Sequence, residues 1–183
     1  QVAFTDIQKN ADAEEAWKNA NILITQGILR ETRALRSVAR LARGDAAVNR
    51  SIESMVNLLN ARQKSLMNEV AELYKRKNNT DKVPVLKMSD AETAASKKIP
   101  ANHAVLDTYF SKRVRYVPGT ALHPTMTTEL LNFVDGKRSY LDIYKALKAE
   151  AMAAGNWYYG TVKLDDVVKV LDANVKAGAM EVK

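Results

Sequence analysis

The chain has 183 residues, of which 46% are hydrophobic, and a formal net charge of +7. This length suits one domain or two small ones. No run of about 18 uninterrupted apolar residues occurs, which argues against a membrane-spanning helix. The absence of cysteine excludes disulfides and thiolate metal sites.

The positive charge belongs to residues 1–121. Residues 122–183 contain eight Lys or Arg and eight Asp or Glu, which leaves 20 of the 28 basic and 13 of the 21 acidic side chains to the rest of the chain. The last third of the sequence is therefore neutral. The sequence begins at Gln1 rather than Met, and we expect a processed form or a piece of a longer chain.

The first part of the chain has the pattern of two long helices. Over residues 12–43, apolar residues recur every three or four positions, with acidic residues at the start and arginines at the end, as the helix dipole favours. Gly44 and Asp45 then supply a helix-ending residue and an N-cap, and a second periodic run covers residues 48–74. The short turn predicts an antiparallel hairpin within residues 1–77.

The middle of the chain lacks a sustained period. Residues 78–121 combine prolines with polar and small residues, and we predict a connector with short helical or irregular segments, including a short helix over Asp90–Ser96. So long a loop is unusual inside one compact domain, so this stretch is the candidate domain boundary.

The last part, residues 122–183, is predicted to be a winged-helix-like unit with three helices, near residues 124–134, 139–153 and 164–176, and a short closing strand over residues 179–182. Gly136 frees the backbone of the turn between the first two helices, and Ser139 caps the second with Asp142 as its capping-box partner. Lys137 and Arg138 are interpreted as solvated turn residues. The predicted fold class is all-α: a long antiparallel helical hairpin followed by this unit.

One stretch carries a family resemblance. Residues 131–143, Leu-Asn-Phe-Val-Asp-Gly-Lys-Arg-Ser-Tyr-Leu-Asp-Ile, are followed by an apolar-acidic helix at 164–171 and by Lys-Ala-Gly-Ala-Met at 176–180. This pattern resembles the C-terminal tail of large secreted bacterial zinc aminopeptidases with a transferrin-receptor-like protease domain, and also small winged-helix peptide chaperones. The resemblance covers residues 122–183 and implies no catalytic residues. It also implies an extracytoplasmic location.

The sequence offers no catalytic, cofactor-binding or metal-binding constellation. Its only histidines, His103 and His123, could join Asp107 or Glu129 at a metal, but we interpret them as surface or loop residues because His-Glu-x-x-His is absent. The Gly-x-x-x-x-Gly spacing at residues 155–160 lacks the Lys and Ser or Thr of a phosphate loop. Its aromatic residues are interpreted as a plug that closes the three-helix unit rather than a stacking platform.

A row of arginines on the first helix is the candidate interaction surface. It comprises Arg30, Arg33, Arg36, Arg40 and Arg43, which at 100° per residue fall within roughly 140° of one another. Such a row could bind nucleic acid phosphates or an acidic protein. The alternative is a solvated face, or ion pairs with Glu53, Glu69 and Glu72 across the hairpin, because Glu31 interrupts the row and no aromatic residues alternate with it.

The sequence therefore predicts a non-catalytic accessory region of a secreted bacterial peptidase, which packs on the catalytic domain or another protein. The alternative is a free-standing helical binding module for a peptide or an acidic protein. Nucleic acid is disfavoured because the helix predicted over residues 164–176 presents Asp165, Asp166 and Asp172 where a recognition helix needs basic or amide groups. The sequence leaves the oligomeric state open.

Overall fold

The computed structural model describes the backbone of residues 1–183 and the side chains of all of them except residue 156. The elements in chain order are α1 (Val2–Lys9), α2 (Ala13–Val38), α3 (Ala46–Asn78), α4 (Asp90–Ser96), β1 (Pro100–Asn102), α5 (Leu106–Lys112), α6 (Pro124–Asn132), α7 (Tyr140–Ala154), α8 (Asn156–Tyr159), α9 (Leu164–Lys176) and β2 (Met180–Val182). They form two compact units, Gln1–Leu86 and Lys87–Lys183. The predicted all-α fold is confirmed.

The first unit is built on the predicted antiparallel hairpin. Near the open end, the rings of Trp17 on α2 and Tyr74 on α3 lie 5.7 Å apart. Near the tip, Arg36 contacts Glu53 at 3.4 Å. Because later residues of α2 meet earlier residues of α3, the two helices run in opposite directions along a shared seam.

The hairpin turn differs slightly from the prediction. The first helix ends at Val38 rather than Arg43, and residues 39–44 form tight turns. Arg43 and Gly44 both have positive φ, at 47° and 88°, which ends the helical path. The predicted N-cap is confirmed, since the Asp45 carboxylate accepts hydrogen bonds from the N–H groups of residues 47 and 48.

A third helix, α1, packs on the open end of the hairpin and was not predicted. Its eight residues are too few to show a clear period in the sequence. Ala3 and Ile7 enter a core with side chains of both long helices, namely Ala16, Trp17, Ala20, Ile24, Val70 and Tyr74. The buried cluster of this unit therefore lies at the open end of the hairpin, away from the tip.

The second unit has its own core, formed mainly by α6, α7 and α9. Leu130, Ile143, Leu147 and Leu171 are fully buried within it. The predicted capping box is confirmed, because the Ser139 hydroxyl accepts from the N–H of Asp142 and the Asp142 carboxylate accepts from the N–H of Ser139. The predicted terminal strand is also present as β2.

The division between the units, after Leu86, falls inside the predicted connector 78–121, but residues 87–121 belong to the second unit rather than to a separate connector. The expected helix Asp90–Ser96 is present. Strand β1 pairs with β2 in antiparallel register, Ala101 opposite Glu181. The fully buried Asn174 side chain also binds both the N–H and the C=O of Val114, each at 2.9 Å. These partners lie 60 residues or more away along the chain, beyond what local patterns indicate.

The turn between α6 and α7 corrects the interpretation of Arg138 as a solvated residue. Its guanidinium binds the Asp135 carboxylate at 3.0 Å and lies 4.8 Å from the Phe133 ring centre. Only 18% of its side chain is exposed. Gly136 adopts a φ of 73°, as the predicted role of this glycine requires.

Replacing Ser139 by Ala removes the acceptor for the Asp142 N–H, and we expect it to lower the free energy of unfolding of the second unit by about 1 kcal/mol. Chemical denaturation monitored by circular dichroism measures this change. Thr128→Ala removes an exposed hydroxyl within α6 and serves as the matched control. Equal stability of Ser139→Ala and wild type would contradict the role of the cap.

The Asp135 carboxylate gives the second unit a pH-dependent contribution. Partial burial alone would raise the pKa of Asp135, but hydrogen bonds from Arg138 and Lys137 outweigh it and hold the pKa below its ordinary value. The stabilisation by the ionised Asp135 carboxylate is therefore complete at pH values above its unfolded-state pKa of about 4. It is lost as the pH falls through the lowered folded-state pKa. We expect Asp135→Asn to reduce the acid-dependent loss of stability, measured by denaturation at a series of pH values; an unchanged pH profile would contradict this assignment.

Candidate interaction surface

The five predicted arginines are all exposed, but they do not form one continuous helical row. Arg30, Arg33 and Arg36 lie on α2, whereas Arg40 and Arg43 fall in the turn that follows Val38. The first four remain close together because the chain continues in tight helical turns through Arg40, whose N–H bonds to the C=O of Ser37. Arg43 is turned away by its positive φ.

The arginines form two ion pairs. Arg36 contacts Glu53 on α3 at 3.4 Å, as the alternative interpretation of the row predicted. The other pair is local, between Arg30 and its neighbour Glu31 at 3.2 Å. Both partners in each pair are more than half exposed, so that each pair stabilises the fold by at most about 1 kcal/mol.

The other two glutamates that were expected to pair with the arginine row contact different residues. Glu69 contacts Arg62 and Glu72 contacts Lys75, both within α3. Among the side chains that the structure describes, Arg33 and Arg40 form no ion pair. Neither of these two charges is needed to neutralise a carboxylate of the fold, and both remain available to a partner.

The tip half of the hairpin, residues 30–62, also concentrates charge. It contains seven arginines, no lysine and three acidic residues, so its formal charge is +4 of the +7 of the whole chain. Arginine binds carboxylates through two parallel hydrogen bonds, which lysine cannot do, and it is enriched in protein interfaces. The composition of this segment therefore favours contact with an acidic partner.

Apolar side chains of the same tip half are exposed rather than buried. They are Val38 at 44%, Leu41 at 82%, Val48 at 37%, Met55 at 50% and Leu58 at 68% exposed. The periodic apolar pattern of residues 12–43 and 48–74 predicts that Val38, Leu41, Val48 and Met55 lie on buried stripes, which the structure corrects. A hairpin buries only one seam on each helix, and the short α1 leaves the flanks of the tip uncovered. The periodic pattern gave no indication that α1 is too short to cover the tip.

The histidines lie in local turns. The Nδ1 atom of His103 accepts a hydrogen bond from the N–H of Val105, and that of His123 caps α6 by accepting from Thr125. Among the described side chains, no group of three or more His, Asp or Glu residues lies close enough together to hold a metal ion. The two histidines are thus turn residues, as interpreted from the sequence.

The aromatic segment after α7 only partly fits its predicted role as a plug. Tyr159 packs against the core of the second unit. Trp157 is 85% and Tyr158 is 56% exposed, and the Tyr158 ring contacts the rings of Trp157 and Tyr159 edge to face. One aromatic ring therefore closes the core while two remain at the surface.

A partly buried polar cluster in the second unit has a structural role. Lys98 binds both carboxylate oxygens of Asp172, at 3.0 and 3.1 Å, and the Tyr140 hydroxyl donates to the same carboxylate at 3.1 Å. Burial and the neighbouring Asp172 carboxylate raise the pKa of Tyr140, which keeps this hydroxyl protonated. The cluster joins α7, α9 and the segment before β1.

Comparison with protein-family models, curated proteins and solved structures finds no match. Within the described part of the chain, no helix combines the length and apolar character needed to cross a membrane.

The combined replacement of Arg33, Arg36 and Arg40 by Ala tests whether the arginine row serves the fold. We expect the free energy of unfolding to change by less than about 1 kcal/mol, because alanine is at least as good a helix former and the exposed pair with Glu53 contributes little. Thermal melting followed by circular dichroism measures this change. Loss of helical signal at 25 °C would show that the row is structural.

Proposed function

We propose that the chain is a non-catalytic protein-interaction region. The observation that carries this proposal is the tip half of the hairpin, where exposed apolar side chains accompany the concentrated arginines. Exposed apolar residues beside arginines are the side chains that protein interfaces use. Fold stability does not account for their exposure, since an uncovered apolar side chain gains none of the free energy of burial.

We further propose, from the resemblance at residues 131–143, that this region accompanies a secreted bacterial peptidase of the zinc aminopeptidase type. The hairpin would then pack on the peptidase catalytic domain or on another partner protein, outside the cytoplasm. The chain would position the catalytic domain or recruit another protein to it, and the catalytic residues would belong to that domain.

A free-standing helical binding module is the second candidate function. It is favoured by the same tip surface, which needs no attached catalytic domain to bind a peptide or an acidic protein. Only the resemblance favours the peptidase-associated function over the free-standing module. The size of the natural precursor tests which of the two is correct. A precursor of only about 183 residues, measured by mass spectrometry on the protein from its source, would contradict the peptidase-tail proposal.

Nucleic acid is the weakest of the proposed partners. On α9, the exposed Asp165 is paired with Lys169, and Asp172 is engaged by Lys98. With three Asp and two Lys, this helix offers no net positive charge to the phosphates of a duplex. The arginines of the tip are likewise without aromatic neighbours on which single-stranded bases could stack.

Charge reversal at the tip provides the test of the interaction function. We expect Arg33→Glu, Arg36→Glu and Arg40→Glu together to reduce retention of the native partner at least tenfold, because like charges then face its acidic surface. The measurement is affinity capture of a partner identified by mass spectrometry, followed by titration of that partner.

The matched control carries the same change in charge in the second unit, at the exposed residues Lys137, Lys163 and Lys176. It should bind as wild type does. Equal binding by the tip variant would contradict the proposed role of the arginines. Binding to a DNA or RNA oligonucleotide that weakens steeply with salt would instead favour nucleic acid.

A further inference from the structure

The segment that joins the first unit to the second has no regular structure. Residues 81–88 belong to no helix or strand, and within the described structure none of their backbone N–H or C=O groups forms a hydrogen bond to another backbone group. Breaking backbone hydrogen bonds is a main cost of local opening, and this segment does not incur it. The chain can therefore change its path here at little cost in free energy.

Folded structure holds the chain on both sides of residues 85–88. On one side, the indole N–H of Trp17 donates to the C=O of Pro84 at 3.1 Å, and Val83 packs against the core of the first unit. On the other side, the Ser89 side chain caps the start of α4. Residues 85–88 are therefore the part of the joining segment that neither anchor holds.

The four side chains of this unanchored part are exposed. Val85 is 80%, Leu86 is 39% and Met88 is 57% exposed, and Lys87 is exposed as well. Exposed chain without secondary structure is a preferred place of proteolytic cleavage, because an endopeptidase must draw several consecutive residues into its active-site cleft. Residues 85–88 meet this requirement.

The lysine at position 87 selects both the type of endopeptidase and the bond. Trypsin-type enzymes hold the side chain that precedes the cleaved bond in a pocket whose carboxylate binds the cation of lysine or arginine. Lys87 therefore directs cleavage to the Lys87–Met88 bond. Lys82 lies in the same segment, but the two residues after it, Val83 and Pro84, are the ones held on the first unit.

The exposed Arg115 also lies in irregular chain, but both of its flanks are held. The N–H and the C=O of Val114 bind the Asn174 side chain at 2.9 Å each, and Val117 packs against the core of the second unit. Only residues 115 and 116 lie between these anchors. We therefore expect the bond after Arg115 to resist cleavage.

The two arginines in the turn of the hairpin lie in hydrogen-bonded chain. The N–H of Leu41 bonds to the C=O of Val38, and the N–H of Asp45 bonds to the C=O of Ala42. These bonds span both arginines and keep the backbone in tight turns, whereas an endopeptidase cleft requires extended chain. Cleavage there first needs local unfolding, which the segment around Lys87 does not.

We propose that the Lys87–Met88 bond is a processing site, at which a trypsin-type endopeptidase divides the chain into the hairpin unit and the second unit. Water adds across the peptide bond, which leaves a carboxylate on Lys87 and an ammonium group on Met88. Each unit has a buried core of its own, so both should stay folded after the cut. The inference goes beyond the interaction function, because it concerns whether the hairpin remains attached to the second unit.

Limited digestion of the full chain with trypsin tests whether this bond is the accessible one. Native protein is digested at a low ratio of enzyme to substrate, and intact-mass spectrometry follows the products with time. We expect fragments 1–87 and 88–183 to appear first and to accumulate together. A first cut at any other lysine or arginine, or breakdown of either fragment as fast as it forms, would overturn the proposal.

The variant Lys87→Gln removes the cation that the enzyme recognises. We expect it to slow division of the chain at least about tenfold, because Lys82, the other basic residue of the segment, precedes chain that is held. Arg115→Gln removes the same charge from an anchored part of the second unit and should change the rate by less than about twofold. Equal rates for Lys87→Gln and wild type, or equal slowing by both variants, would contradict the assignment.

The separated fragments show whether the cut yields folded products. We expect both to retain their helical circular-dichroism signal and to melt cooperatively. Loss of helical structure in either fragment would mean that cleavage destroys a unit, which contradicts a processing role.

The protein from its natural source distinguishes processing from mere accessibility. We expect mass spectrometry of its N-termini to find a natural fragment that begins at Met88. If the source contains only uncut chain although trypsin cleaves the pure protein after Lys87, the processing role is wrong. Both results are independent of the charge-reversal test of the interaction function.

Discussion

The first unit is shaped by the limited area that two packed helices can bury. An antiparallel pair has one shared seam, and side chains on the flanks of that seam need a third element to remove them from water. Helix α1 provides it over about two turns, where Trp17 and Val70 are buried, and then ends. Beyond that point Val38, Met55 and Leu58 are exposed. The exposed surface thus follows from a difference in helix length.

The second unit, in contrast, has a closed core. Its core is closed by three helices, a two-stranded sheet and the Asn174 side chain that fixes the Val114 backbone. Some of its charged side chains, such as Arg138 and Asp172, form ion pairs within the fold. The tip half of the hairpin combines exposed apolar side chains with seven arginines, and the proposed function is placed there.

Much of the fold could be predicted from local patterns. Periodicity indicated the two long helices, and the residues Asp45 and Ser139 marked helix starts because capping is a property of a few adjacent residues. Helix α1 was missed because eight residues carry little periodic signal. The pairing of β1 with β2 and the contact of Asn174 with Val114 join distant parts of the chain, which no local pattern encodes.

The candidate surface was predictable only in part. Arg30, Arg33 and Arg36 could be placed on one side of α2 from their spacing alone, but the end of the helix before Arg40 and Arg43 could not. The exposure of Val38 and Met55 could not, because an apolar residue on the inner side of a helix is buried only if the neighbouring element is long enough to reach it. That length is a property of the packed unit.

Amide hydrogen exchange of the free chain tests the central claim most directly, because it reports how firmly each part of the hairpin is held. The account predicts slow exchange for α2 amides between Trp17 and Ile24, where α1 closes the core, and much faster exchange between Arg30 and Val38, where the flanks are open. Uniform slow exchange along the whole of α2 in the free chain would contradict open flanks in the tip half.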